Sequence, residues 1–170
     1  MKLLVGVDAE GMACVVGESG KGLTASKDFA FAREQATREA NAVARGLFAA
    51  GAETVVIWDN HGGSLNLDYR GIDERCLILC GKGDRRRMSI IEEEFDGLLL
   101  VGYHAMEGTV DGILAHSFSS VTYQWMKVNG REVGEIAIDS SIAGEAGVPT
   151  ILVASDEAGC REAREFLPWA

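Results

Sequence analysis

Leu3-Leu4-Val5-Gly6-Val7-Asp8-Ala9-Glu10-Gly11 decides how this chain is read. Four aliphatic residues among five make a strand buried on both faces, the kind found in parallel sheets flanked by helices. Two carboxylates follow at once. A strand with hydrocarbon on each side can place Asp8 only at its end, where open parallel α/β sheets bind their ligands. Asp8 and Glu10, one residue apart, repel each other unless a positive charge lies between them, and divalent cations seek such hard anionic oxygens.

The rest of the 170-residue chain supports this reading. Its length suffices for one domain with a hydrophobic core, and no Pro/Gly/Ser linker divides residues 1–170. The 26 acidic and 16 basic residues give a formal net charge of −10, which argues against nucleic acid, whose phosphates call for Lys and Arg. No apolar run reaches transmembrane length, so no membrane partner is expected, and only Lys2 precedes the first strand, so a cytoplasmic protein is expected. Cys14, Cys76, Cys80 and Cys160 are scattered without Cys-x-x-Cys spacing. Cys76 and Cys80, flanking Leu77-Ile78-Leu79, read as buried structural thiols on one face of a strand.

Cys14 to Ala25 is glycine-broken and polar, a mobile loop beside the crevice. Its Gly17-Glu18-Ser19-Gly20-Lys21-Gly22 lacks the glycine and Ser/Thr positions of a phosphate loop. A helix is predicted from a Ser26 cap to Gly51, with Phe29, Ala32, Ala36, Ala40, Val43, Ala44 and Leu47 on its buried face. Thr54 to Trp58 reads as a second strand, parallel to the first through a crossover. Cys76 to Cys80 is a short strand, Met88 to Phe95 a short helix, and the Arg85–Arg87 and Glu92–Glu94 runs solvated surface. Gly97 to Gly102 repeats the strand pattern. Asn129-Gly130 marks a hairpin between Tyr123–Val128 and Arg131–Val133. A helix opening at Gly134-Glu135, a strand at Thr150–Ala154 and a helix at Glu157–Phe166 complete a three-layer α/β/α fold with a mostly parallel central sheet.

Each of the three histidines follows an apolar run: His61 after Val55–Trp58, His104 after Leu98–Val101, His116 after Ile113-Leu114. A parallel sheet brings all three to one rim with Asp8 and Glu10. Mixed imidazole and carboxylate donors suit zinc, manganese or cobalt better than calcium or magnesium. One catalytic zinc takes three protein ligands, so this set exceeds one site and suffices for two. Two cations acidify water and polarise a carbonyl or phosphoryl oxygen, the chemistry of hydrolysis. Periodicity does not choose between an amide and a phosphoester.

Val7-Asp8-Ala9-Glu10-Gly11, Asp59-Asn60-His61, Gly102-Tyr103-His104-Ala105, Ala115-His116-Ser117 and Val133-Gly134-Glu135, in that order, resemble the zinc-dependent D-aminopeptidases encoded with bacterial dipeptide-transport systems. The resemblance spans essentially the whole chain, Asn129-Gly130-Arg131 included. It implies that Asp8 bridges two zinc ions, that Glu10 and His61 complete one site, and that His104 and Glu135 complete the other. His116 matches the catalytic histidine, a non-ligand acting as base, nucleophile or oxyanion stabiliser. Asp59 either orients His61 or caps its loop. The implied reaction releases a small N-terminal D-amino acid, such as D-alanine, from short peptides, in a ring-shaped homo-oligomer; family subunits continue with a further small-domain segment, which is expected to be absent from residues 1–170. The alternatives are another metal-dependent amidase or phosphoesterase, or a non-catalytic metal-binding assembly subunit.

Overall fold

In the computed structural model, residues 1–81 and 86–170 are described. Strand β1 (Lys2–Val7) leads through helix α1 (Phe29–Ala49) to β2 (Thr54–Asp59), then to the short β3 (Leu77–Leu79) and to β4 (Gly97–Tyr103). A two-stranded ribbon, β5 (Lys127–Val128) and β6 (Arg131–Glu132), precedes α2 (Glu135–Glu145), β7 (Thr150–Ser155) and α3 (Glu157–Phe166). The central sheet has the order β3-β2-β1-β4-β7, and every pairing in it is parallel. The α/β architecture is thus as expected from the sequence.

Alternation along the strands builds the two core layers. Leu3, Val5 and Val7 of β1 pack with Val55, Ile57, Leu99 and Val101 beneath α1. There Ala32, Ala36, Ala40 and Ala44 form a buried small-residue stripe that lets the helix lie close. Leu4, Val56, Trp58, Leu98 and Leu100 face the other way, onto Ile136 and Ala143 of α2 and Ala163 of α3. Because β2 and β4 flank β1 on opposite sides, the chain changes direction across the sheet at β1, the place where such sheets open a crevice at their carboxyl ends.

One irregularity in β4 shapes that crevice. The β4–β7 register shifts between Val101 and Tyr103, and Gly102 takes φ +72°. The extra residue inverts the alternation, so Tyr103 joins the α2/α3 layer instead of the α1 layer. A Cβ on Gly102 would press into Met12 at 2.4 Å, and one on Gly11 would meet the Tyr103 carbonyl oxygen at 1.7 Å. Glycine at both positions lets the loop after β1 lie directly on the end of β4, held by Asp8 N–H to Val101 O (2.9 Å) and Gly11 N–H to Gly102 O (2.8 Å).

Several expectations need correction. Helix α1 starts at Phe29, not at a Ser26 cap: Ser26 Oγ accepts from Asp28 N–H, while the Asp28 carboxylate accepts from Val16 and Gly17 N–H of the preceding loop. That loop, expected to be polar throughout, sends Val15 and Leu23 into the core. Residues 89–93 form a 3-10 helix, and the ribbon strands are only two residues each, because Tyr123 and Trp125 lie exposed rather than paired on a sheet. The turn between them is as read, with Asn129 and Gly130 both at positive φ (52° and 83°). All four cysteines are free, but Cys80 is exposed and Cys76 half-buried, since β3 is an edge strand with little covering it. Of the arginine run, Arg85 lies outside the described residues and Arg87 is not solvated surface. No helix among the described residues is long and apolar enough to cross a membrane.

Candidate metal centre

The carboxyl ends of β1, β2 and β4 deliver Asp8, His61 and His104, and the amino end of α2 delivers Glu135. All five expected ligands are buried: Asp8, Glu10, His61, His104 and Glu135. Asp8, Glu10, His61 and Glu135 line an open pocket of about 400 Å³ together with Thr24, Arg87, His116 and Phe118, and His104 lies behind them, within reach of Asp8 and Glu135.

Asp8 lies at the middle. Its Oδ1 is 3.1 Å from His61 Nδ1 and its Oδ2 is 3.5 Å from His104 Nε2, so one carboxylate faces two imidazoles with different oxygens. Glu10 Oε2 is 3.0 Å from His61 Nδ1, and Glu135 Oε1 is 3.3 Å from His104 Nε2. Candidate ligand atoms of Asp8, Glu10 and His104 all lie within 4.8 Å of one another, as do those of His104, His116 and Glu135.

The hydrogen bonds behind these rings set their tautomers. His104 Nδ1 lies 3.1 Å from the Ala105 carbonyl oxygen and His116 Nδ1 lies 2.9 Å from that of Leu114. A carbonyl only accepts, so both rings carry their proton on Nδ1 and, when neutral, turn an Nε2 lone pair toward the carboxylates. His61 is reversed: Nδ1 faces the acids while Nε2 is 3.1 Å from Thr24 Oγ1. Lone pairs facing anions are tolerable only with a cation between them. Consistently, Glu10 Oε2 and His104 Nε2 are buried with no hydrogen-bond partner among the described residues, the Glu10–His61 approach being out of line for one.

Without a metal, protons fill that need. Burial pulls the His61 imidazolium down, but Asp8 and Glu10 outweigh it and push its pKa up to about 11. Burial acts likewise on His104, and Glu135, Asp8 and Glu10 push it up to about 10. Burial raises Asp8, yet His61 and His104 hold it well below the usual carboxylate range. A site with such proton affinity suits a divalent cation that displaces those protons on binding. The residues present therefore fit a metal.

His116 stacks on His104, ring centroids 4.0 Å apart and planes within 10°. Its loop is fixed by His116 N–H to Ala105 O and Ile113 N–H to the Asp156 carboxylate, with Leu114 and Phe118 on either side in the left-handed region. Such backbone strain in bulky residues persists only where the surroundings hold it. Asp59 does not touch the His61 ring. It accepts from Asn66 N–H, Asn66 Nδ2, Leu67 N–H and Tyr69 Oη, and Asn66 Nδ2 in turn reaches the His61 carbonyl, so Asp59 organises the loop that carries His61.

The geometry also contains residues that sequence reading passed over. Arg87 grips Asp139 through Nε and Nη2 and reaches Glu135 Oε2 at 3.1 Å. Tyr103 Oη donates to Asp139 at 2.7 Å and accepts from Asn60 Nδ2 at 2.8 Å. The available signal was Asp139 itself, a carboxylate one helical turn beyond Glu135 and on the helix face of Ile136 and Ala143, which tolerates a buried charge only with a partner.

The D-aminopeptidase family model matches residues 1–170. The chain belongs to the D-aminopeptidase family. The D-aminopeptidase of Bacillus subtilis (strain 168) is 30% identical over 175 residues, covering 99% of this chain and 61% of that protein. Among solved structures, the Zn-dependent D-aminopeptidase DppA from Bacillus subtilis, described as a self-compartmentalizing protease, superposes with a TM-score of 0.77 at 28% identity. That likeness covers 97% of this chain and 60% of the solved one. The chain thus spans about three-fifths of the length of the family relatives it matches.

Proposed function

We propose that this chain is a zinc aminopeptidase that removes a small N-terminal residue, D-alanine being the type case, from short peptides, acting as a cytoplasmic homo-oligomer. Asp8, Glu10 and His61 would hold one zinc ion, and Asp8, His104 and Glu135 a second. The observation that carries the reading is the Asp8 carboxylate, whose two oxygens face two different imidazoles beside Glu10 Oε2 and His104 Nε2, buried atoms with no hydrogen-bond partner among the described residues. Family membership and the zinc dependence of the DppA neighbour support metal and reaction class.

When bound, zinc supplies a Lewis acid that polarises a carbonyl and lowers the pKa of water. The chain supplies the proton path. His116 lines the pocket, its side chain 13% exposed against 1% for the His104 on which it stacks, and its Nε2 lone pair is free of the Leu114 hydrogen bond made by Nδ1. It accepts a proton from the attacking water as the new C–O bond forms, and returns it to the amine nitrogen as the C–N bond breaks. The hydrogen bond to Leu114 O keeps the ring in the tautomer this requires. The peptide's free amine would bind beside the metal centre.

Purified chain is expected to hold about two zinc ions per subunit. It is expected to release p-nitroaniline from D-Ala p-nitroanilide faster than from the L isomer, and to lose activity to a chelator. His116→Ala is expected to keep its zinc and lose about 10²–10⁴ in kcat. Zinc-free native protein, or activity confined to p-nitrophenyl phosphate, overturns the proposal.

A further inference from the structure

A charge in the wrong place for solvated surface motivates the inference. Arg87 is only 26% exposed in its side chain, lying against the Phe118 ring at 4.6 Å and the Trp58 ring at 5.5 Å. Its guanidinium meets two carboxylates on successive turns of α2. Asp139, fully buried, takes Nε and Nη2; Glu135 takes a second bond from Nη2 through Oε2. The other Glu135 oxygen, Oε1, accepts from Phe118 N–H at 2.8 Å and faces His104 and His116. Glu135 is therefore divided, one oxygen committed to Arg87 and one turned into the pocket floor.

Asp139 extends the connection. Tyr103 Oη donates to it, and Asn60 Nδ2 donates to Tyr103 Oη. Asn60 and Tyr103 are the residues immediately before His61 and His104. One buried chain of hydrogen bonds thus runs from Arg87 to the elements carrying three of the proposed ligands. A plain structural ion pair between Arg87 and Asp139 requires no second bond to Glu135.

We infer that Arg87 is a positioning residue that holds Glu135 to a single ligating oxygen and, through Asp139, Tyr103 and Asn60, sets the spacing between the two halves of the metal centre. This rests on the reading of Glu135 as a zinc ligand. Two effects compete in it. The guanidinium charge repels a nearby cation, whereas the clamp orients the carboxylate in advance. Outer hydrogen bonds of this kind support metal affinity about 10–100-fold, and the clamp is assigned the larger share.

A double-mutant cycle read by zinc affinity tests this, using full-length wild type, Arg87→Met, Glu135→Gln and the double variant, each titrated with zinc against a chelating indicator. Arg87→Met is expected to weaken the affected site about 10–100-fold. In the Glu135→Gln background the same change is expected to add less than about twofold, since the group it acts through is gone. Arg87→Lys, which keeps the charge but not the planar fork, is expected to lie between wild type and Arg87→Met. It replaces Arg87→Met in the cycle if the latter leaves Asp139 without a partner and fails to fold. Unchanged or tighter zinc binding in the variants, or an equal loss in both backgrounds, overturns the inference. Wild type that binds no zinc fails the reading of Glu135 as well, whereas wild type that holds zinc beside unaffected Arg87 variants removes the role of Arg87 alone.

Discussion

The two halves of the site share Asp8 but are held together by different means. On the His61 side the support is local. Asp59, at the end of β2, gathers the loop from Asn66 to Tyr69, and Asn66 fixes the His61 backbone. Glu10 there has a buried oxygen with no hydrogen-bond partner among the described residues. On the His104 side the support comes from far along the chain: Arg87 and the Phe118 N–H divide the oxygens of Glu135, and His116 stacks on His104. One half is shaped by turn chemistry next to its ligand, the other by tertiary packing.

Removing the shared group is the hardest test of that division. Asp8→Asn is expected to empty both sites and to cut activity by more than about 100-fold, since outer hydrogen bonds alone are worth about 10–100-fold. Zinc analysis that finds one site intact would break the symmetry assigned to Asp8. Glu10→Gln and Glu135→Gln are expected to lose one ion each, from opposite halves, leaving about one zinc per chain by elemental analysis. If both variants lose both ions, the halves do not act separately.

Acid–base linkage sharpens the same contrast in protein stripped of metal. His61 and His104 have folded pKa values raised from 6.5 to about 11 and about 10, so the stability they contribute is complete below pH 6.5. It is then lost as pH rises through those folded values. Equilibrium unfolding of chelator-treated protein is expected to show stability falling across this alkaline range, and zinc-loaded protein, its imidazoles already neutral, to show a flatter profile. A flat profile in the stripped protein would mean that no proton bridges the acids. The smallest expected effect is local: Thr24→Val, which removes the partner of His61 Nε2, should weaken zinc by about 10-fold in the His61 half only, with Thr24→Ser restoring it.

The same division explains what could be read from residues alone. The strand Leu3–Val7 and the Asn129-Gly130 turn are local patterns that fell where their spacing indicated, and His61 and His104 follow β2 and β4, but no strand forms at Ile113-Leu114 and His116 lies on a loop. Glu135 looks like an ordinary acidic residue in the first turn of a helix, and only the family resemblance singled it out before the fold brought it to His104. Arg87 was misread because its partners lie 48 and 52 residues away, beyond any periodicity. Asp59 stood open between two roles, and its four loop-directed hydrogen bonds decide for the cap. The short ribbon and the exposed Cys80 were overdrawn for one reason: β-type composition shows that a strand is possible, not that a neighbour covers it.

Gly102 has a consequence for how the site comes into being. The half-step it inserts shifts β4 against β7, while β4 keeps an unbroken register with β1 from Leu3 opposite Gly97 to Val7 opposite Val101. The acids that follow β1 and the histidine that follows β4 therefore meet only where strands far apart in the chain lie side by side.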